Sequence, residues 1–318
     1  MKRLALAPVL GLALVGCKRP PAAPAELSEL CSYVFEHMGD EDDTDLAAGV
    51  ENLAAWFADN GLEAPEEGFE VTQIDVDTAY ALPDIDLSDL TQEEFEDGLV
   101  GAAVVNQHGH SLDDLAYAIV EADQMEVFPD DYQAFERTFL TDVDCFMDGT
   151  CVQVDALNYS EASYAGVLNV KSENRAQWRW VDTGTRRALV HRAWLTGPAD
   201  INPALATIPA EFFTTVTMEL DDGTMVRMQT VWFVALLATV EANAFMLNSF
   251  VNALSKSGEQ VETWLDEGGA VVDTGAPPPP GAYEGGAGSC SAAGAEGGVA
   301  LALPALLGLA LRRRERAR

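Results

Sequence analysis

Apolar positions in the first third of the chain recur at helical spacing. In "ELSELCSYVFEHM" (26–38), Leu27, Leu30, Cys31, Val34 and Met38 fall on one helical face. Leu46, Val50, Leu53 and Phe57 continue the period over 45–59, and Asn60-Gly61 marks the stop. "FEVTQIDV" near 69–76 alternates as a strand does. Residues 83–97 are acidic and loop-like, with a short helix from Thr91. Ser111-Leu112-Asp113-Asp114 has the form of a helix N-cap, leading into Leu115–Glu121. A further short helix is expected over Asp131–Phe139.

The pattern changes near residue 150. "CVQVDAL", "YAGVLNV", "AQWRWVD", "RALVHRAWL", "EFFTTVTMEL" and "TMVRMQTVWFVAL" all have strand composition. Asp182-Thr183-Gly184-Thr185 and Asp221-Asp222-Gly223 are the hairpin turns between them. Consecutive strands joined by short turns make an antiparallel sheet. One long helix follows, over about 239–265: Val240, Ala244, Leu247, Val251, Leu254, Gly258, Val261 and Leu265 step by four and three. Phe245, Phe250 and Trp264 widen the stripe, and a face that wide must pack on the sheet. The expected fold class is α+β: N-terminal helices, then an antiparallel sheet packed on a long C-terminal helix. The acidic, mainly helical part (26–140) and the sheet with its helix (141–266) read as one domain. Residues 267–298, with Pro277–Pro280, read as a Gly/Pro-rich stalk.

The stretches "RWVDTGTRRALVHRAWL", "FFTTVTMELDDGTMVRMQTVWF" and "NSFVNALSKSGEQVETWL" set a sheet before a long apolar helix. In this order of elements the chain resembles the START-like, or polyketide-cyclase-like, helix-grip fold. That resemblance implies a sheet wrapped around the last helix, with a hydrophobic cavity between them.

Charge is distributed unevenly. The chain carries a net charge of −34, and residues 20–136 hold 31 Asp and Glu with no Lys or Arg. The nine basic residues between the two ends lie in 137–256, six of them from Lys171 to Arg192. With no basic face to release counterions, nucleic acid is excluded as a partner, and electrostatic docking to anionic lipid is disfavoured. Long like-charge stretches mostly serve solubility; a second reading pairs the basic strand region with the acidic N-terminal half across an internal interface.

The two ends carry targeting features. Lys2 and Arg3 precede an uncharged apolar run over 4–16, too short to span a bilayer, which stops at Leu14-Val15-Gly16-Cys17. This resembles the lipobox of bacterial lipoprotein signals. The resemblance implies a signal peptide over 1–16, acylation of Cys17, and a lipidated tether over 17–25. Lys18 in place of Asp implies the outer membrane. At the other end, Cys290 precedes the apolar Val299–Leu311 and the cluster Arg312-Arg313-Arg314, Arg316, Arg318. This arrangement resembles the C-terminal sorting signals of myxobacterial surface proteins. It implies processing and lipid attachment at Cys290 and removal of a 299–318 anchor segment.

Candidate chemistry is sparse. Cys145 and Cys151 flank "FMDGT" and are expected to form a disulfide worth about 2 kcal/mol in an exported chain. Cys31 reads as a packed core thiol. His108 and His110 in "NQHGHSLDD" could recruit Asp113 or Asp114 to a metal, but Leu112 stands where a metallo-hydrolase would want Asp, so a cap-forming loop is preferred. "GDEDDTD" and "DVDCFMDG" lack EF-hand spacing. No G-x-S-x-G, P-loop or dinucleotide fingerprint occurs. No metal or cofactor is therefore assigned.

Trp178, Trp180, Trp194 and Trp232 gather in the β half with Arg179, Arg192 and Arg227. Such a set either lines a ligand cavity or forms a tryptophan core with snorkelling arginines. Trp180, Arg192, Trp194, Arg227, Trp232 and Leu247 are the candidate cavity residues. Arg192 leads because it shares a strand face with Trp194. The expected protein is a lipid-anchored envelope or cell-surface lipoprotein, more a binder than an enzyme, taking an apolar or amphipathic ligand. The alternative is a surface protein-interaction module with a filled core, and an envelope hydrolase is a distant third.

Overall fold

The computed structural model describes residues 23–164, 168–202, 207–236 and 243–269. The signal, the tether cysteine Cys17, most of the stalk, Cys290 and the terminal anchor lie outside the described residues.

In chain order the helices are α1 (Leu27–His37), α2 (Thr44–Asn60), α3 (Glu63–Glu66), α4 (Val76–Tyr80), α5 (Gln92–Gly98), α6 (Leu112–Ala116), α7 (Gln124–Val127), α8 (Val143–Met147) and α9 (Asn243–Asp266). The strands are β1 (Phe69–Glu70), β2 (Leu99–His108), β3 (Tyr132–Phe139), β4 (Gln153–Tyr164), β5 (Leu168–Asp182), β6 (Arg187–Leu195), β7 (Asp200–Asn202), β8 (Thr207–Glu219) and β9 (Met225–Leu236). They form one antiparallel sheet in the order β1-β2-β9-β8-β6-β5-β4-β3, with β7 paired to β5. The fold is α+β, with the C-terminal helix laid across one face of the sheet in the helix-grip manner.

Helices cover the sheet on both faces. The outer core joins Leu30, Val34, Phe35, Leu46, Leu53 and Phe57 of α1 and α2 to Val190, Trp194, Phe212, Val216, Met228 and Trp232 of the strands. The inner face meets α9 through Phe250 and Leu254 against Val104, Val231 and Phe233. Further along, it meets α6, the π-helical turn Tyr117–Glu121 and α8 through Leu115, Ile119 and Phe146 against Trp178, Trp180 and Leu189. Strands covered on both sides lose clean alternation, since both parities are buried: Leu189 and Val190 are each fully buried. Gly258 lets α9 sit close to β2, because a Cβ there would fall 2.3 Å from the Asn106 side chain.

Several sequence expectations are corrected. Residues 132–139 form strand β3 on β4, not a helix, as their Tyr, Phe and Thr content favours. Only Phe69–Glu70 of the 69–76 stretch pairs, and the chain then enters α4. Leu168–Val170 of "YAGVLNV" and all of "AQWRWVD" belong to one strand, β5. The helix begun at Ser111 breaks into α6 and the π-helical turn. Leu99–His108, apolar through Val105, is a strand between β1 and β9 with no counterpart among the expected elements. Asp148-Gly149 closes α8, with Gly149 at φ +78°. Cys145 and Cys151 are paired in a disulfide across that turn, and Cys31 is buried with its thiol 3.7 Å from the Met228 sulfur.

The acidic half and the basic strands meet as charge predicts. Arg175 pairs with Asp84, Arg179 with Asp43, Arg186 with Glu51 (3.1 Å) and Arg187 with Asp113 (3.2 Å). Arg179 also donates to the carbonyls of Met38 (3.1 Å) and Asp40 (2.6 Å), just past the C-terminus of α1. Arg192 donates to the Phe35 carbonyl (3.3 Å) and to Gln177 Oε1 (2.8 Å). Buried guanidinium groups thus tie α1 to the sheet.

Replacing Arg179 by Met leaves the two carbonyls and Asp43 without their donor inside a closed interface. Urea denaturation is expected to show a loss of about 3 kcal/mol. A loss below about 1 kcal/mol would mean that apolar packing alone docks α1.

Candidate functional site

The inner-face residues of β9 run Arg227, Gln229, Val231, and those of β8 that oppose them run Thr217, Thr215, Phe213. The strands lie under α9, which touches them through Phe250, Leu254 and Ser257. Gln229 fixes the helix, donating to the Leu254 carbonyl (2.8 Å) and to Asn106 Oδ1 (2.8 Å). Beyond this contact line the helix and sheet diverge, and a cavity of about 260 Å³ remains between α9, the α7–β3 segment and the inner faces of β3 to β6, β8 and β9. Its apolar lining includes Phe128, Phe135, Trp178, Phe213, Phe250 and Leu254, and its charged lining includes Arg137, Glu211 and Arg227.

Each polar group in the cavity has a distinct environment. His191 stacks on Trp178, its cross-strand partner, at 4.8 Å and 17°, with Phe213 at 5.5 Å. Burial, reinforced by Arg137 and Arg227, holds its pKa well below 6.5, so the ring is neutral. Arg137 is satisfied: Nε donates to Asn158 Oδ1 (2.9 Å) and Nη1 to the Ile119 carbonyl (3.2 Å) and the Val120 carbonyl, while its guanidinium lies 4.8 Å from the Trp178 ring centre. Arg227 is 5% exposed, and its Nε and Nη1 are buried without any hydrogen-bond partner among the described residues. Burial lowers both guanidinium groups to about 10, which leaves them charged at neutral pH. Glu211 makes no hydrogen bond or ion pair among the described residues, and burial raises its carboxyl from 4.5 to about 7.

The expected cavity set divides between the two faces. Arg227 lines the cavity. Trp194 stands at the wall, but its indole joins the outer core and donates to the Pro83 carbonyl (3.0 Å). Trp232 is also on the outer face, donating to the Thr72 carbonyl (2.9 Å). Arg192 lies on the outer face beneath α1, so it is not the cavity arginine. Trp180 is on the inner face but is covered by α8, stacked on Phe146 at 5.4 Å and donating to its carbonyl (3.0 Å). Leu247 belongs to α9, and its side chain lies outside the described residues. Arg137, His191 and Glu211 were not singled out from sequence. The inner parity of β9, counted from Phe233 under Phe250, would have found Arg227, but β3 read as a helix hid Arg137.

The histidines of "NQHGHSLDD" meet carboxylates from α9 rather than Asp113 or Asp114. His108 Nδ1 lies 2.8 Å from Glu262 Oε2, the Gly109 N–H donates to Glu262 Oε1 (2.9 Å), and His110 Nε2 lies 3.2 Å from Asp266. Asp113 pairs with Arg187, and Asp114 completes the Ser111 capping box. These contacts clamp the last turns of α9 to the end of β2. His108 is held below its ordinary pKa, first by burial and then by Arg227.

No protein-family model matches the sequence, and no curated protein matches it. Among solved structures, the chain is similar to human StAR-related lipid transfer protein 5, with 6% identity over 70% of this chain and 98% of that one and a TM-score of 0.36. It is similar to norcoclaurine synthase from Thalictrum flavum, with 10% identity over 54% of this chain and 90% of that one, TM-score 0.34. It is also similar to Ara h 8.0201, with 12% identity over 54% and 99%, TM-score 0.33.

Glu211 gives the stability a pH dependence of definite sign. Its pKa is raised on folding, so its proton costs nothing below 4.5, where both states hold it. The unfolded chain releases the proton first, so stability falls from there and the penalty is complete above about 7. Glu211→Gln is expected to raise the urea midpoint at pH 8, leave it unchanged at pH 4, and flatten the profile between. Parallel profiles for the two proteins would show that Glu211 titrates normally.

Proposed function

We propose that this protein is a lipid-anchored envelope protein that binds an apolar or amphipathic small molecule in the cavity between its sheet and α9. The supporting observation is the cavity itself. It is closed on one side by the sheet and on the other by a helix pinned through Gln229 and Glu262, and it is not filled by the large side chains around it. A recess of about 260 Å³ bordered by aromatic rings leaves apolar surface uncovered, and covering that surface with an apolar ligand is favourable. Its size falls near the lower end of ligand cavities, roughly 300–1,000 Å³. A few polar groups on an aromatic wall suit a molecule with one polar end. The chain acts as a carrier or sensor in this reading, and no catalytic step is assigned to it.

The anchor belongs to the same proposal and rests on the sequence around Cys17 and Cys290. An acyl chain on Cys17 would hold the folded domain at a membrane surface, where amphipathic ligands reside.

Native mass spectrometry of the purified chain is expected to show a discrete added mass of lipid size. Ala253→Trp, which places a ring in the cavity from α9, is expected to abolish it while the far-UV spectrum is retained. A bare mass after purification from the native host and after exposure to lipid extract would overturn the binding reading and favour a protein partner instead. Metabolic labelling with a tritiated fatty acid is expected to mark the wild type and not Cys17→Ser. Equal labelling of both would remove Cys17 as the anchor.

A further inference from the structure

We propose that the occupant of the cavity is a monoanionic amphiphile, a long-chain carboxylate, whose acidic head lies against the guanidinium of Arg227. This rests on the cavity-binding reading and adds the charge, the orientation and the residue that selects them.

Arg227 differs from every other arginine among the described residues. Arg137, Arg175, Arg179, Arg186, Arg187 and Arg192 each donate at least one hydrogen bond to a carboxylate, a carbonyl or an amide oxygen. Arg227 donates none, and Nε and Nη1 are buried and unpartnered. A buried cation without a counter-charge is costly, and a fold that retains one on a cavity wall leaves a place for an anion. The neighbouring groups agree. The Thr217 hydroxyl, directly opposite Arg227 in the β8–β9 ladder, is buried and also unpartnered. His191 faces the same cavity with no side-chain hydrogen bond among the described residues, and as a neutral imidazole it can donate to an oxygen anion without adding charge.

The opposite end sets the orientation. Glu211 pairs with Phe233, and Thr217 pairs with Arg227, so six residues of strand separate the cation from the acid, a span of ~20 Å. Phe213, Val231, Phe250 and Leu254 lie along that path. A ligand with its charge at Arg227 therefore runs its chain over apolar wall toward Glu211, whose carboxyl is held largely protonated just below neutral pH. One guanidinium with no hydrogen-bond partner of its own is matched by a monoanion. A dianionic phosphate monoester would carry surplus negative charge into a cavity that already contains Asp131.

The test compares dodecanoate with dodecanol, two probes of equal chain length, titrated into the delipidated full chain by calorimetry at pH 6.5. The wild type is expected to bind the acid roughly tenfold or more tightly than the alcohol. Arg227→Met is expected to bind both alike, at the wild-type affinity for the alcohol, and Arg227→Lys to retain part of the preference. If Arg227→Met fails to fold, as judged by near-UV circular dichroism, the wild-type preference together with its weakening in Arg227→Lys decides the matter. Equal binding of acid and alcohol by the wild type would overturn the anion assignment and leave the cavity reading standing. Failure of both probes to bind would overturn the cavity reading and this inference with it. An undiminished preference in folded Arg227→Met would move the head to Arg137 and overturn the assignment to Arg227.

Discussion

A sheet covered on both faces must provide a partner for every charge its strands carry. That constraint organises the molecule. Seven arginines sit on or beside the described strands, and around six of them the surrounding chain supplies acceptors for the guanidinium. The acidic N-terminal half supplies Asp43, Glu51, Asp84 and Asp113, and the C-terminal end of α1 and the loop that follows supply Phe35, Met38 and Asp40 carbonyls. The π-helical turn gives its own carbonyls to Arg137. The large negative charge of the chain is thus in part an internal counter-charge, and the remainder favours solubility. Among the arginines of the described residues only Arg227 reaches the cavity without a hydrogen-bond partner, and this makes the cavity a chemical site as well as a packing gap.

The inner face explains why a cavity can persist. α9 is pinned at two places. Gln229 and Asn106 hold its middle against β9 and β2, where Gly258 permits close approach. Glu262 and Asp266 hold its last turns to the histidines that end β2. A helix fixed in this way cannot settle toward β4, β5 and β6, and the space on that side stays open. Trp178 and His191 form a stacked pair on the wall of that space, with Phe213 tilted against His191. The polar contacts beneath α9 therefore cost packing density and give a defined volume in return.

Much of the architecture was legible in the sequence. Asp182-Thr183-Gly184-Thr185 and Asp221-Asp222-Gly223 do close the β5–β6 and β8–β9 hairpins, with Gly184 and Gly223 at φ +85° and +86°. The stepping of Val251, Leu254, Gly258 and Val261 does mark the gripped helix. The uneven charge pointed to the interface that Arg175, Arg179 and Arg186 form. β2 was hidden because a strand buried on both faces has no alternation to read. The cavity was legible only as a composition. Alternation correctly put Arg192 and Trp194 on one face, but parity cannot say which face lies under the helix. α1, whose Phe35 lies 157 residues from Arg192 in sequence, covers the face they share. Arg137 and Glu211 could be found only once β3 and β8 had been placed around the same space.

On this proposal Arg227, the arginine that donates no hydrogen bond among the described residues, is completed by a ligand's acidic head. A crystal structure of the chain grown with dodecanoate tests it most directly. The account predicts a carboxylate oxygen within about 3 Å of an Arg227 guanidinium nitrogen, with the alkyl chain running between Phe213 and Phe250 toward Glu211. A ligand lying with its carboxylate at the Glu211 end, or an empty cavity in which ordered water alone satisfies Arg227, would contradict it.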